Sequence, residues 1–230
     1  MSEELVKVSR AGKAYTRGKQ KVSIFDNLDM GIEKGAFLAI MGPSGSGKTT
    51  LLNMLGGVDR PTSGEILFQG KRVDNLSESA LAAFRAGHIG FIFQFYNLMP
   101  MLTAQQNVEL PLLLTNQNAK QRRERAAAAL EIVGLSDRAK HKPAELSGGQ
   151  QQRVAIARAI VSDPELILAD EPTGDLDRET ANEVLTMLQE LNQSYGKTIV
   201  MVTHDAEAAR YAKKTLHLDK GVFVEKDLHA

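Results

Sequence analysis

Two hydrophobic rhythms divide this chain. Short apolar runs at residues 37–41, 166–169 and 198–202 are too brief for helices and show no polar alternation, which predicts strands buried on both faces. Residues 50–55 instead carry their large apolar side chains at helical spacing and stop at Gly56-Gly57. A second helix starts after Ser77 as its cap, and a third, over 120–133, is rich in Arg, Glu and Ala and is closed by Gly134. The stretch 150–161 follows Ser147-Gly148-Gly149 with Val154, Ala157 and Val161 on one face, and 179–191 is amphipathic. Residues 205–214 read as a last helix.

The first 67 residues or so read as short strands and turns: 5–8 alternates, 22–25 and 65–68 follow, and Gly18, Gly31 and Gly35 punctuate them. Tyr15 falls in the Gly/Lys-rich segment 12–21, between the first two strands. Residues 90–93 predict a further strand ending at Gln94. From 97 to about 162 the character is helical, and after Asp163-Pro164 strands and helices alternate again. A closing hairpin is predicted around Asp219-Lys220-Gly221. Apolar strands alternating with helices imply an α/β fold with a mostly parallel sheet covered on both faces.

Composition narrows the function classes. Lysine plus arginine equals aspartate plus glutamate, 28 of each, so no electrostatic case exists for nucleic acid or an anionic membrane surface. Arg122, Arg123 and Arg125 lie among glutamates on a predicted helix and read as a solvated face. The absence of cysteine excludes disulfides and thiolate metal sites. The acidic start, Met1-Ser2-Glu3-Glu4, lacks the regions of a signal peptide, and no apolar run approaches the ~20 residues of a membrane span, so no leader and no transmembrane segment are expected.

Candidate chemistry centres on Gly42-Pro43-Ser44-Gly45-Ser46-Gly47-Lys48-Thr49, which fits G-x-x-x-x-G-K-[ST] between a predicted strand and a helix beginning near Thr50. Glycines let the backbone N–H groups turn inward, and the helix N-terminus adds partial positive charge. Lys48 is expected to reach the β- and γ-phosphates and the Thr49 hydroxyl to ligate Mg²⁺. A glycine-rich turn would meet the pattern by chance in about one chain of this length in a hundred.

Ligands of open α/β sheets collect at the carboxyl ends of the strands. Three apolar strands here end in polar residues: Met41 leads into the glycine-rich loop, Ala169 into Asp170-Glu171, and Val202 into Thr203-His204. Asp170 is expected to hold Mg²⁺, and Glu171 to polarise an attacking water; a polar turn is the alternative. His204 is expected at the γ-phosphate, against a role as a capping or core histidine. Gln94 could ligate Mg²⁺ or hold a water, and Tyr15 could stack on adenine or be an exposed aromatic.

Leu146-Ser147-Gly148-Gly149-Gln150 completes the set, and with it the sequence resembles the ATP-binding-cassette (ABC) ATPases over nearly its whole length and in the family's order. The resemblance implies a P-loop NTPase fold in one domain of residues 1–230. A mostly parallel core and an N-terminal antiparallel β region are expected at about 1–96 and 163–230, with an inserted α-helical signature subdomain at about 97–162. Tyr15 matches the adenine-stacking aromatic, Gln94 the Q-loop, and 166–171 the Walker B strand with Glu171 as catalytic glutamate. Asp175, in Gly174-Asp175-Leu176-Asp177, matches the D-loop, and His204 the switch histidine. Ala169 is smaller than the usual residue before the Walker B aspartate.

The family further implies ATP and Mg²⁺ as ligands and a head-to-tail dimer. In it, Ser147, Gly148, Gly149 and Gln150 of one copy close over ATP held by the other. An integral membrane subunit is implied as partner, docking near Phe95, Tyr96, Asn97, Leu98, Met99 and Pro100, with Thr103 and residues 107–111 beside them; the alternative for Phe95, Tyr96, Leu98 and Met99 is a place in the subdomain core. This run and Ala144-Glu145 resemble the lipoprotein-release and macrolide-efflux subfamily, which works at the cytoplasmic face of the bacterial inner membrane. Alternatives are the similar cell-division ATPase and a soluble cassette of DNA repair or translation. The latter usually carry two fused cassettes or coiled-coil insertions.

Overall fold

The computed structural model describes residues 3–18 and 20–224. In chain order the elements are β1 (Glu4–Arg17), β2 (Gln20–Glu33), β3 (Phe37–Met41), α1 (Lys48–Leu55), β4 (Ser63–Phe68), β5 (Lys71–Arg72), α2 (Glu78–His88) and β6 (Ile89–Phe93). Helices α3 (Ala104–Glu109), α4 (Ala119–Ile132) and α5 (Gly148–Ile160) follow. The chain closes with β7 (Leu166–Asp170), α6 (Arg178–Gln193), β8 (Thr198–Val202), α7 (Ala206–Ala209), β9 (Lys214–Asp219) and β10 (Val222–Val224). Among the described residues, β2-β1-β4-β5 form an antiparallel sheet. The larger sheet has the order β10-β9-β3-β8-β7-β6 and is parallel except for β10.

The unbroken apolar runs are explained by two cores, one on each face of the larger sheet. Phe37, Ala39, Ile167, Ala169, Ile199 and Met201 join the core built with α3, α4, α5 and α6. Their neighbours Leu38, Ile40, Leu166, Leu168, Val200 and Val202 join α1 and the antiparallel sheet. Period-2 alternation is therefore present, but it separates one apolar surface from another, and polarity cannot display it.

Helix ends follow local side-chain chemistry. Asn118 and Gln121 form a reciprocal capping box that starts α4 one residue before the predicted helix. Thr103 and Gln106 do the same for α3. The predicted helix at 205–214 is cut to Ala206–Ala209. The Lys213 N–H donates to the Phe37 carbonyl at 2.9 Å, and β9 then pairs with β3 from Leu38↔Lys214, so parallel pairing overrides helix propensity. Tyr15 lies inside β1 rather than between strands, because the first hairpin has 14-residue arms interrupted by register shifts.

Helix α5 lies hard against β6 at Gly90, where a Cβ would collide with the Ala159 carbonyl oxygen. Gly90→Ala is expected to cost about 1–3 kcal/mol through overpacking. Urea unfolding of the nucleotide-free protein reads that loss, and an unchanged midpoint would mean that α5 can move away freely.

Candidate functional site

The carboxyl ends of β3, β7 and β8 open into one cleft of about 660 Å³. Its wall contains Gly42, Pro43, Ser44, Gly45, Gly47, Lys48, Thr49, Thr50, Gln94, Asp170, Glu171 and His204. Of the residues singled out in the sequence, those of the glycine-rich loop, the two acidic residues, Gln94 and His204 thus come together in one copy.

The loop leaves β3 at Gly42, where a Cβ would strike the Leu218 carbonyl oxygen, and turns at Gly47, whose φ of 102° caps α1. That φ lies in the left-handed region that glycine adopts readily, and a Cβ there would press on Ile24 and Phe25. Lys48 folds back on its own loop, donating from Nζ to the Gly42 carbonyl at 2.8 Å and the Pro43 carbonyl at 2.9 Å. Ser46 is buried, and its hydroxyl has no hydrogen-bond partner among the described residues. Beside it, Gly45 faces open space. An orphaned hydroxyl, open space and a helix N-terminus fit an anion of phosphate size.

At the end of β7, burial raises the pKa of Asp170 above its ordinary value and the neighbouring Glu171 adds to this. A hydrogen bond from the Thr49 side chain and the charge of Lys48 oppose the shift. Hydroxyl, carboxylate and amide oxygens from Thr49, Asp170 and Gln94 make an all-oxygen donor set, which fits a hard divalent cation. Such a charge would also reverse the upward shift of Asp170.

Glu171 stands at φ 50°, a left-handed conformation rare for a side chain of this kind, and its N–H donates to the Val202 carbonyl at 2.9 Å. Both of its carboxylate oxygens lie 2.9 Å from Nδ1 of His204, whose ring is largely exposed. The strand-end bond and the histidine together hold the carboxylate at the cleft wall.

Tyr15 is half exposed at the hairpin, hydrogen-bonded to Asp59 and near the Thr50 side chain, and Ile24 of β2 lines the cleft itself. Sequence reasoning missed Ile24, because β2 belongs to the other sheet.

Ser147, Gly149 and Gln150 lie outside this cleft, in a separate depression with Arg138, Arg153, Thr180 and Glu183. Ser147 caps α5 by accepting from the Gln150 N–H at 3.2 Å, while Gln150 Oε1 accepts from the Ser147 N–H at 3.0 Å. The pattern S-x-x-Q could have disclosed this capping box. At Gly149 a Cβ would collide with Thr180, so α5 approaches α6 closely there.

The segment after Gln94 is held under strain. Tyr96 and Asn97 have φ of 44° and 50°, and Arg158 of α5 donates to their carbonyls at 2.8 and 2.5 Å. Burial lowers the pKa of Arg158. The Tyr96 hydroxyl reaches Asp175 Oδ2 at 3.4 Å. Fully buried Gln152 donates to the Phe93 carbonyl at 3.3 Å and also to that of Pro172, tying α5 to the chain at the ends of β6 and β7. Asn107 is fully buried and fastens the loop at Met99, Leu102 and Thr103, whereas Phe95, Met99, Met101, Leu113 and Leu114 are exposed. A groove of about 440 Å³ between α2 and residues 110–114 is lined by Val58, Phe91, Asn97, Leu114, Arg85 and Arg158, among others.

The family model described as "ABC transporter" matches residues 25–174. The lipoprotein-releasing system ATP-binding protein LolD of Xanthomonas campestris is 45% identical over 94% of this chain and 91% of its own length. The macrolide export ATP-binding/permease protein MacB of Sodalis glossinidius is 47% identical over 97% of this chain, which spans only 34% of that longer protein. A dimeric, post-hydrolysis structure of the ATP-binding cassette MJ0796, bound to ADP and Pi, superposes with a TM-score of 0.88 at 42% identity, covering 98% of this chain and 99% of that one.

Proposed function

The chain belongs to the ABC transporter ATP-binding subunits, and from that premise we propose that two copies close head to tail around two ATP molecules and drive a separate membrane subunit. One observation carries the dimer reading. The cleft contains Lys48, Thr49, Asp170, Glu171 and His204, but the signature residues of the same copy line a different depression. A head-to-tail second copy would bring its own Ser147 and Gly149 to a phosphate bound by Lys48, which supports the reading.

The proposed division of labour follows the chemistry of each group. Gly42–Thr49 with Thr50 holds the phosphates, and Lys48 exchanges its two loop carbonyls for phosphate oxygens. Tyr15 presents its ring to adenine. Thr49, Gln94 and Asp170 would hold Mg²⁺, which supplies charge neutralisation on the phosphate oxygens. Glu171 takes the proton of the attacking water, and His204 orients that carboxylate. Ser147, Gly148, Gly149 and Gln150 supply the partner copy's helix N-terminus, and Asp175 faces the dimer seam beside Tyr96.

Residues 97–162 act as the helical subdomain that moves against the rest of the chain. The exposed apolar residues Phe95, Met99, Met101 and Leu114, the last of which lines the groove, suit a membrane subunit as partner. No helix among the described residues is long and apolar enough to cross a membrane, so the spanning segments of the complex are proposed to belong to that partner. Similarity to LolD and MacB favours lipoprotein release or efflux at the cytoplasmic face of the inner membrane over a cell-division role.

The tagged chain, purified from solubilised membranes of its own cells, is expected to retain a multi-span protein. Leu114→Asp should lose that protein while keeping ATPase activity. Recovery with ribosomes or nucleic acid alone would reverse the transport reading.

A further inference from the structure

Lys13 is buried in β1, an uncommon situation for an ammonium group, and the groups that satisfy it lie in the turn after α1. Its Nζ is 2.5 Å from Asp59 Oδ1 and 2.8 Å from the Arg60 carbonyl oxygen. The same nitrogen lies 4.7 Å from the ring centroid of Tyr15, within cation–π range. The Tyr15 hydroxyl donates to the other carboxylate oxygen, Asp59 Oδ2, at 2.6 Å.

Lys13 and Tyr15 are two residues apart on one strand and so project to the same face. One carboxylate therefore grips both, with one oxygen for each. Burial alone would raise the pKa of Asp59; the hydrogen bonds from Lys13, Tyr15 and the Arg60 N–H outweigh it and hold the carboxyl below its ordinary range. Tyr15 shifts the opposite way, raised by burial first and then by its bond to Asp59, so its hydroxyl keeps its proton and remains a donor.

A half-exposed tyrosine on a hairpin would ordinarily sample several rotamers and lose that freedom when a ligand stacks on it. Here both ends of the side chain are fixed, the Cβ by the strand and the hydroxyl by Asp59. We propose that Asp59 and Lys13 are positioning residues for base recognition, holding the Tyr15 ring as a pre-set platform for the purine before the nucleotide arrives. The inference rests on the reading of Tyr15 as the base platform. It adds two residues outside every motif of the nucleotide cleft, and it concerns the base and not the phosphates.

Isothermal titration with Mg-ADP and with Mg-pyrophosphate, which carries phosphates but no base, separates these contributions. Tyr15→Ala should weaken ADP about tenfold, the worth of one base–aromatic stack, and leave pyrophosphate unchanged. Asp59→Asn and Tyr15→Phe should each weaken ADP about fivefold with pyrophosphate unchanged. Their double variant should be no weaker than either alone, because hydroxyl and carboxylate act as one unit. Tyr15→Phe keeps the Lys13–Asp59 pair, so it tests the idea even where Asp59→Asn folds poorly.

If Tyr15→Ala loses ADP affinity while Tyr15→Phe and Asp59→Asn do not, the positioning role is wrong and the platform stands. If Tyr15→Ala binds ADP as the parent does, both are wrong. Equal losses of ADP and pyrophosphate in Asp59→Asn, with Tyr15→Phe unaffected, would reduce Asp59 to a fold-supporting residue and overturn the proposal.

Discussion

Glu171→Gln is expected to convert the chain into a stable ATP-bound dimer with turnover lowered by about 10²–10⁴-fold, the usual contribution of a general base. The substitution keeps the size and hydrogen-bonding reach of the side chain but removes its basicity. Glu171 is held at the cleft wall by the Val202 carbonyl and by His204 Nδ1 at 2.9 Å, so the amide can occupy the same position. Losing a negative charge beside Asp170 should also favour the triphosphate, since Glu171 helps to raise the pKa of that neighbour. Binding and closure should then proceed without the step that releases them. Light scattering behind size exclusion, in ATP and Mg²⁺, distinguishes the outcomes. A variant that elutes as a monomer under those conditions would remove the head-to-tail reading.

The second large effect concerns Lys48. Lys48→Ala should weaken Mg-ADP and Mg-pyrophosphate alike, by about a hundredfold, since charge-assisted hydrogen bonds are worth about 1.5–3 kcal/mol each. Lys48 donates to two carbonyls of its own loop. Thermal melting of the ligand-free variant should accordingly fall only slightly, because those carbonyls face an open cleft that water can reach. The contrast is diagnostic: a small change in melting with a large loss of phosphate affinity marks a binding residue. Affinity within threefold of the parent chain would mean that phosphates are held elsewhere. Equal losses for ADP and pyrophosphate also separate this residue from Tyr15, whose removal should spare pyrophosphate.

Much of the fold was legible because its signals are local. The runs at 37–41 and 198–202 are strands with those bounds, and Gly134 closes α4. The convergence of Lys48, Asp170, Glu171 and His204 could be anticipated from strand ends alone, since a parallel sheet brings such ends to one edge.

What stayed hidden depends on contacts distant in sequence. Asp59 lies in a turn and resembles any capping aspartate until the fold brings Lys13 and Tyr15, more than forty positions earlier, onto its oxygens. Gln152 looks like one more residue of a polar helix start, yet it is fully buried between the Phe93 and Pro172 carbonyls. Asn107, grouped by sequence with an exposed surface, is interior because its amide closes the loop before α3. The helix expected to reach 214 failed for the same reason, because the competing partner of Lys213 was the Phe37 carbonyl.

The two-sided core of the parallel sheet has a consequence for how accurately the cleft is assembled. A strand with one wet face resists slipping by a residue, because the slip would turn its apolar side outward. Strands β3, β7 and β8 lack that safeguard, since apolar side chains line both of their faces. Their alignment falls instead to differences in side-chain size and to hydrogen bonds at the ends of the paired segments, each joining a strand residue to one just beyond a strand: Glu171 N–H to Val202, Thr203 N–H to Ile40, and Ile199 N–H to Ala36. These bonds act as end stops. Two of the three involve the residues that lead into the cleft, so the turns that carry the chemistry also set the tolerance to which the strands are cut.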